Sequence, residues 1–294
     1  MVDTGSNLGM RFRSKELAET FISAYEAELA RWPLPVTSMD VPGEFGTTRV
    51  QICGAPDGSP LVLLHGHGAT SAVWFANIEE LAQTHRIYAV DQLGDAGMSV
   101  AGDKPISQRD DYMSWLDGLL DHLDLRAAAF CGHSYGAWLA LSYALHAPAR
   151  VSKLVLVDPT ECFAGLNVGY RLRALPLFIR PSAKRARHVI EWESDRVPLD
   201  SMSVTLACLG GGEFRGSKLV VPHPPNPDDL RSLNVATLIL LAEKSRAHAI
   251  EKVRTAAERL LPDLSVAVLP GASHHSLPAA SPDRLNEELF RFLA

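Results

Sequence analysis

Two patterns of apolar residues alternate along this chain. Over residues 14–31, Leu17, Phe21, Ile22, Tyr25 and Leu29 recur at helical spacing, which predicts an amphipathic helix stopped by Pro33. Segments 36–41 and 47–53 read as two strands joined by a turn at Pro42-Gly43. From Leu61 a different rhythm begins, with continuous apolar runs at 61–64, 87–90, 127–131 and 154–157. Helical spacing fills the gaps: Trp74, Ile78 and Leu81, then Met113, Leu116, Leu120 and Leu123, then Ala140, Leu141, Ala144 and Leu145. A strand with no polar alternation is covered on both faces, so the pattern predicts an α/β fold with a mostly parallel sheet flanked by helices. Each crossover is expected to be right-handed.

The rhythm stops near Pro159 and resumes at residue 236, with a strand at 236–241, a helix around 248–260, a strand at 265–269 and a last helix over about 282–293. Between them lie Pro176, Pro181, Pro198, Pro222, Pro224, Pro225 and Pro227. This divides the chain into a core of residues 1–159 and 236–294 and an inserted helical cap of residues 160–235 with a loose return segment. Gly210-Gly211-Gly212 inside the insertion reads as a hinge or as a plain turn.

Composition narrows the class. With 294 residues, 47% hydrophobic and 21% charged, the chain can bury a large core without disulfides or a structural metal. A net charge of −6 disfavours nucleic acid and anionic membranes as partners. Cys53, Cys131, Cys162 and Cys208 are scattered without metal-ligand spacing, which fits a reducing, cytoplasmic setting. Residues 1–20 carry no apolar core of signal-peptide type, and no apolar stretch is long enough to span a bilayer.

Three motifs carry chemistry, and each stands directly after a predicted strand. Gly132-His133-Ser134-Tyr135-Gly136 follows a strand and opens a helix. A sharp turn there lifts the Ser134 hydroxyl out at the carboxyl edge of the sheet, and glycine on both sides avoids collision with neighbouring backbone. His65-Gly66-His67-Gly68 lets backbone approach a substrate closely, so N–H groups at His67 and Tyr135 become candidates for an oxyanion hole. Pro270-Gly271-Ala272-Ser273-His274-His275 offers the base that serine needs to become nucleophilic. Its spacing from Gly271 favours His274; His275 can instead cover the site or hydrogen-bond locally.

The order of these motifs, with an insertion before the last, resembles the α/β-hydrolase superfamily over nearly the whole chain, from about residue 36 to 294. Asp91 to Ser99 is similar to a loop of the same family. The resemblance implies an α/β-hydrolase fold and a carboxylate that orients the histidine. That carboxylate is often an Asp after the family's seventh strand, but here the loop reads Ala242-Glu243-Lys244-Ser245-Arg246, with serine in its place. Other members carry it at the end of the sixth strand, where this chain has Asp158, 24 residues after Ser134. Glu161 and Glu243 remain alternatives.

The expected reaction is hydrolysis of a carboxylic ester, lactone or thioester through an acyl-enzyme, on a small molecule with an acyl group and without a metal or organic cofactor. C–C cleavage, acyl transfer, lyase or cyclase chemistry on the same residues stays open, and so does a non-catalytic ligand-binding relative. Within the insertion, Arg171, Arg173, Arg180, Lys184, Arg185 and Arg187 fall in a stretch with no acidic residue before Glu191. They read as a solvated helix face or as a site for an anionic substrate group.

Overall fold

In the computed structural model, residues 11–216, 219–279 and 282–294 are described. The stretch of residues 1–20 read above for a leader lies half outside them. The chain opens with α1 (Lys15–Leu29), capped by the Ser14 side chain, which accepts from the Leu17 N–H. It continues into the hairpin β1 (Thr37–Gly43) and β2 (Gly46–Gly54). Then come β3 (Ser59–Leu64), a 3₁₀ turn at Ser71–Ala76, α2 (Ile78–Leu81), β4 (His85–Val90), the two-residue β5 (Val100–Ala101) and α3 (Arg109–His122). The strands β6 (Ala128–His133) and β7 (Val151–Val157) flank α4 (Tyr135–His146). After an intervening segment, β8 (Thr237–Ala242), α9 (Ile250–Leu260), β9 (Leu264–Leu269) and α10 (Pro282–Leu293) complete the fold.

The sheet runs β1-β2-β4-β3-β6-β7-β8-β9, with β5 paired to β2. From β4 to β9 every pairing is parallel, while β2 joins β1, β4 and β5 antiparallel. Leu61, Leu63, Leu64, Phe130, Cys131, Leu154, Val155 and Leu156 have no exposed surface or almost none, as expected for strands covered on both faces. The carboxyl ends of β3, β6, β7 and β9 therefore lie along one edge of a rigid sheet, and every chemical motif follows one of them.

Between β7 and β8 the chain forms α5 (Val168–Ile179), α6 (Ala183–Ser194), α7 (Ser201–Glu213) and α8 (Pro227–Ser232). The glycine triplet is neither hinge nor turn: Gly210, Gly211 and Gly212 lie inside α7. A Cβ on Gly210 would sit 2.2 Å from the Gly68 carbonyl oxygen, and one on Gly212 2.3 Å from the backbone of Ser182. Here glycine serves close approach, letting α7 lie directly on the His65–Gly68 loop. The sequence also misleads at His85, which reads as a surface or helix residue but opens β4 and is buried.

Candidate active site

Ser134 sits between β6 and α4 with φ 55° and ψ −113°, a conformation that side-chain-bearing residues rarely adopt. The flanking glycines make that turn possible. A Cβ on Gly132 would stand 2.2 Å from the Gly136 carbonyl oxygen, and one on Gly136 2.3 Å from that of Leu64. The turn places the Ser134 Oγ 2.8 Å from His274 Nε2.

On the other side of the ring, His274 Nδ1 lies 2.6 Å from Asp158 Oδ2. A carboxylate only accepts, so Nδ1 carries the proton and Nε2 of the neutral ring accepts from the serine hydroxyl. Burial alone would lower the His274 pKa, but the hydrogen bond and charge of Asp158 outweigh it and move the value up. Asp158 is fully buried at the end of β7, and the short β5 shifts this strand by one from the family's count. Burial works against its charge, yet the two histidines around it hold its pKa well below the usual carboxylate range.

Four groups surround that carboxylate. The Ala242 N–H donates to Oδ1 at 2.9 Å and the Ser245 hydroxyl to Oδ2 at 2.9 Å. The buried His248 places Nε2 3.2 Å from Oδ1, an ion-pair distance without hydrogen-bond alignment. Thus the serine at the family's usual acid position donates to Asp158 on the neighbouring strand. The alternatives are engaged elsewhere: Glu161 accepts from Arg171 and from the Leu166 N–H, and Glu243 from the Gly271 N–H.

The loop bearing His274 is fixed from two further sides. Glu193, fully buried on α6, accepts from the backbone N–H groups of His274, His275 and Arg246 at 3.0–3.1 Å. His133 Nε2 donates to the His274 carbonyl at 3.1 Å. Burial, then the neighbouring His274 charge, push the His133 pKa down to about 3, so this ring stays neutral. His275 does not reach Ser134; its Nε2 lies 3.2 Å from the Tyr170 hydroxyl on α5, and the two rings stack.

The His65–Gly68 loop lies against the same centre, since a Cβ on Gly66 would come within 3.3 Å of the Ser134 Cβ. His65 accepts the Gln92 N–H at Nε2 and donates from Nδ1 to the Gly66 carbonyl, which locks the loop onto the sheet. Asp95 accepts the Gly68 N–H and the His67 Nδ1–H. Burial disfavours its charge, but His67 more than offsets this and the Asp95 pKa falls. Ala69 donates to the Gly66 carbonyl. Among the described residues, the backbone N–H groups of His67 and Tyr135 have no protein acceptor, which leaves both available for a developing oxyanion.

The structure therefore brings Ser134, His274, Asp158, His67 and Tyr135 to one place. Sequence reading missed Glu193, His248 and Asp95. Only Asp95 lay in a singled-out stretch; Glu193 contacts a loop 81 residues away through backbone N–H groups, which no motif encodes.

A sheet of this order with a strand–serine–helix turn at its carboxyl edge defines an α/β-hydrolase, and the chain matches the profile of the alpha/beta hydrolase family over residues 61–288. The chain belongs to that family. It is 28% identical to carboxylesterase YbfK of Bacillus subtilis over 291 residues, 97% of each chain. It is also 28% identical to an uncharacterized carboxylesterase, nap, of the same organism, over 92% of this chain and 91% of that one. The crystal structure of the B. subtilis carboxylesterase CesB (YbfK) superposes with a TM-score of 0.89 at 27% identity, covering 95% of this chain and 99% of the other. That of the B. subtilis naproxen esterase gives 0.87 at 27% identity with the same coverage.

Proposed function

We propose that this protein is a serine hydrolase that cleaves carboxylic esters through an acyl-enzyme, with Ser134 as nucleophile, His274 as general base and Asp158 as the acid that orients it. The observation that carries the reading is the continuous hydrogen-bonded path from Ser134 Oγ through His274 to Asp158, at 2.8 and 2.6 Å. The likeness to two carboxylesterases along their full lengths supports the ester as the substrate bond.

In this mechanism His274 Nε2 takes the Ser134 proton as Oγ attacks the ester carbonyl. The tetrahedral oxyanion is stabilised by the N–H groups of His67 and Tyr135. One such donor contributes about 3–4 kcal/mol to the transition state. Collapse expels the alkoxide, which takes the proton from His274 and leaves acyl-Ser134. Water then attacks with His274 again as base, releasing the carboxylic acid and restoring the serine hydroxyl. The imidazolium formed in each step lies against Asp158. Residues 160–235 act as a cap, since Tyr170 and Glu193 reach from α5 and α6 to the His274-His275 loop.

Labelling with a fluorophosphonate, mapped by peptide mass spectrometry, tests this directly. Wild type is expected to carry the phosphonate on Ser134 and to hydrolyse p-nitrophenyl esters, and Ser134→Ala to do neither. Ester turnover retained by Ser134→Ala would refute the assignment.

A further inference from the structure

We propose that the outer face of α5 docks on an anionic phospholipid membrane. Its inner face holds Tyr170 and the buried Ala174 and turns toward His274 and His275. Its opposite face carries Val168, Leu172, Leu175 and Ile179 at spacings of four, three and four, one stripe along 12 residues. These four side chains are 72%, 65%, 49% and 67% exposed, and Phe178 beside them is 60% exposed. No other helix presents such a row among the described exposed apolar residues. An apolar row of this size left in water marks a surface that something covers.

The charge around the stripe selects the occupant. Arg171, Arg173 and Arg180 lie on α5, and Lys184, Arg185 and Arg187 follow on α6, with no acidic residue from 162 to 190. Glu161 and Glu191 pair with Arg171 and Arg187 at its margins. Arg180, Lys184 and Arg185 have no acidic partner among the described residues. The groove between α5 and α6 is lined by Leu172, Trp192 and four of these cations, Arg173, Lys184, Arg185 and Arg187. Two copies meeting through this face would bring like charges together, whereas phosphate headgroups over an acyl layer match both the cations and the stripe. The net charge of −6 hides this patch because it averages over the whole chain. Docking places α5 with one face in the interface and the other over the candidate site. The supply of ester from that interface rests on the hydrolase reading; the docking does not.

Sedimentation with phosphatidylglycerol-containing vesicles tests it, with pure phosphatidylcholine vesicles as control. The wild-type chain is expected to pellet with the anionic vesicles only, and to be released as added salt screens the cations. Leu172→Asp with Ile179→Asp is expected to lower binding by about tenfold or more, while hydrolysis of soluble p-nitrophenyl acetate stays at the wild-type rate. Failure of wild type to pellet overturns the proposal, as does equal pelleting of the double variant. So does a wild-type dimer in light scattering that the double variant turns into monomer, since the occupant would then be a second copy. Pelleting without esterase activity would instead refute the hydrolase reading and leave the docking standing.

Discussion

At the residue scale, the question left open by the sequence was the acid, and geometry separates the candidates. Asp158 alone among Asp158, Glu161 and Glu243 contacts His274. The motifs around Ser134 and His274 were legible because a strained turn restricts its neighbours to glycine, a constraint local in sequence. The acid was not, because its partner is set by which strand ends lie side by side. Asp158→Asn is expected to lower kcat by about 10⁴-fold, as loss of tautomer control does in a Ser-His-Asp site. Ser245→Ala, which removes one of four groups around the carboxylate, should cost far less. The pH profile carries a second readout. His274 must be neutral to accept the serine proton, and Asp158 holds its pKa above the usual 6.5. The acidic limb of kcat/KM therefore lies above 6.5 in wild type and moves to lower pH in Asp158→Asn, as the residual rate measured across pH will show. A larger loss in Ser245→Ala would sink the assignment.

At the element scale, the alternation of apolar runs predicted the parallel strands and their flanking helices, and the family match confirms the fold class. What the pattern could not show is how closely two backbones approach. Gly210-Gly211-Gly212 reads as a breaker in sequence, yet α7 runs through it because two of the three glycines face backbone at van der Waals limit. The third does not: a Cβ on Gly211 would meet its nearest neighbour at 4.0 Å. This separates neighbouring positions of one helix. Gly210→Ala should destabilise by about 1–3 kcal/mol, the range for overpacking. It also presses on the Gly68 carbonyl beside the candidate oxyanion loop, so ester turnover should fall with stability. Gly211→Ala should stabilise by about 0.5–1 kcal/mol, since alanine is the better helix former. Denaturant melts of the two variants decide it; equal effects would mean that α7 does not lie on that loop.

At the scale of the whole molecule, the buried histidines couple the site to stability. His133 and His275 have pKa values pushed down, mainly by burial, and His85 follows the same direction. His274 and His67 are moved up, their carboxylate partners outweighing burial. The two groups act in different pH windows. A raised histidine contributes stability that is complete below its unfolded value near 6.5 and is lost as pH rises through the folded value. A lowered histidine binds its proton only in the unfolded chain once pH drops below 6.5, so its contribution is lost on acidification. The carboxylates Asp95 and Asp158, held below the usual 3.8, add losses only at still lower pH. Between pH 6.5 and 4.5 the three lowered histidines remove stability. The Glu28 carboxyl, pushed up to about 7 by burial, takes its proton first in the folded chain and offsets part of that loss, so stability should still fall in that window. Each excess proton on the unfolded chain costs about 1.4 kcal/mol per pH unit. His133→Gln keeps a donor for the His274 carbonyl and removes one titrating group. Its stability, measured by urea unfolding across this window, should therefore decline with a slope smaller than wild type by up to that amount; an unchanged slope would mean that His133 takes its proton in the folded chain as readily as in the unfolded one.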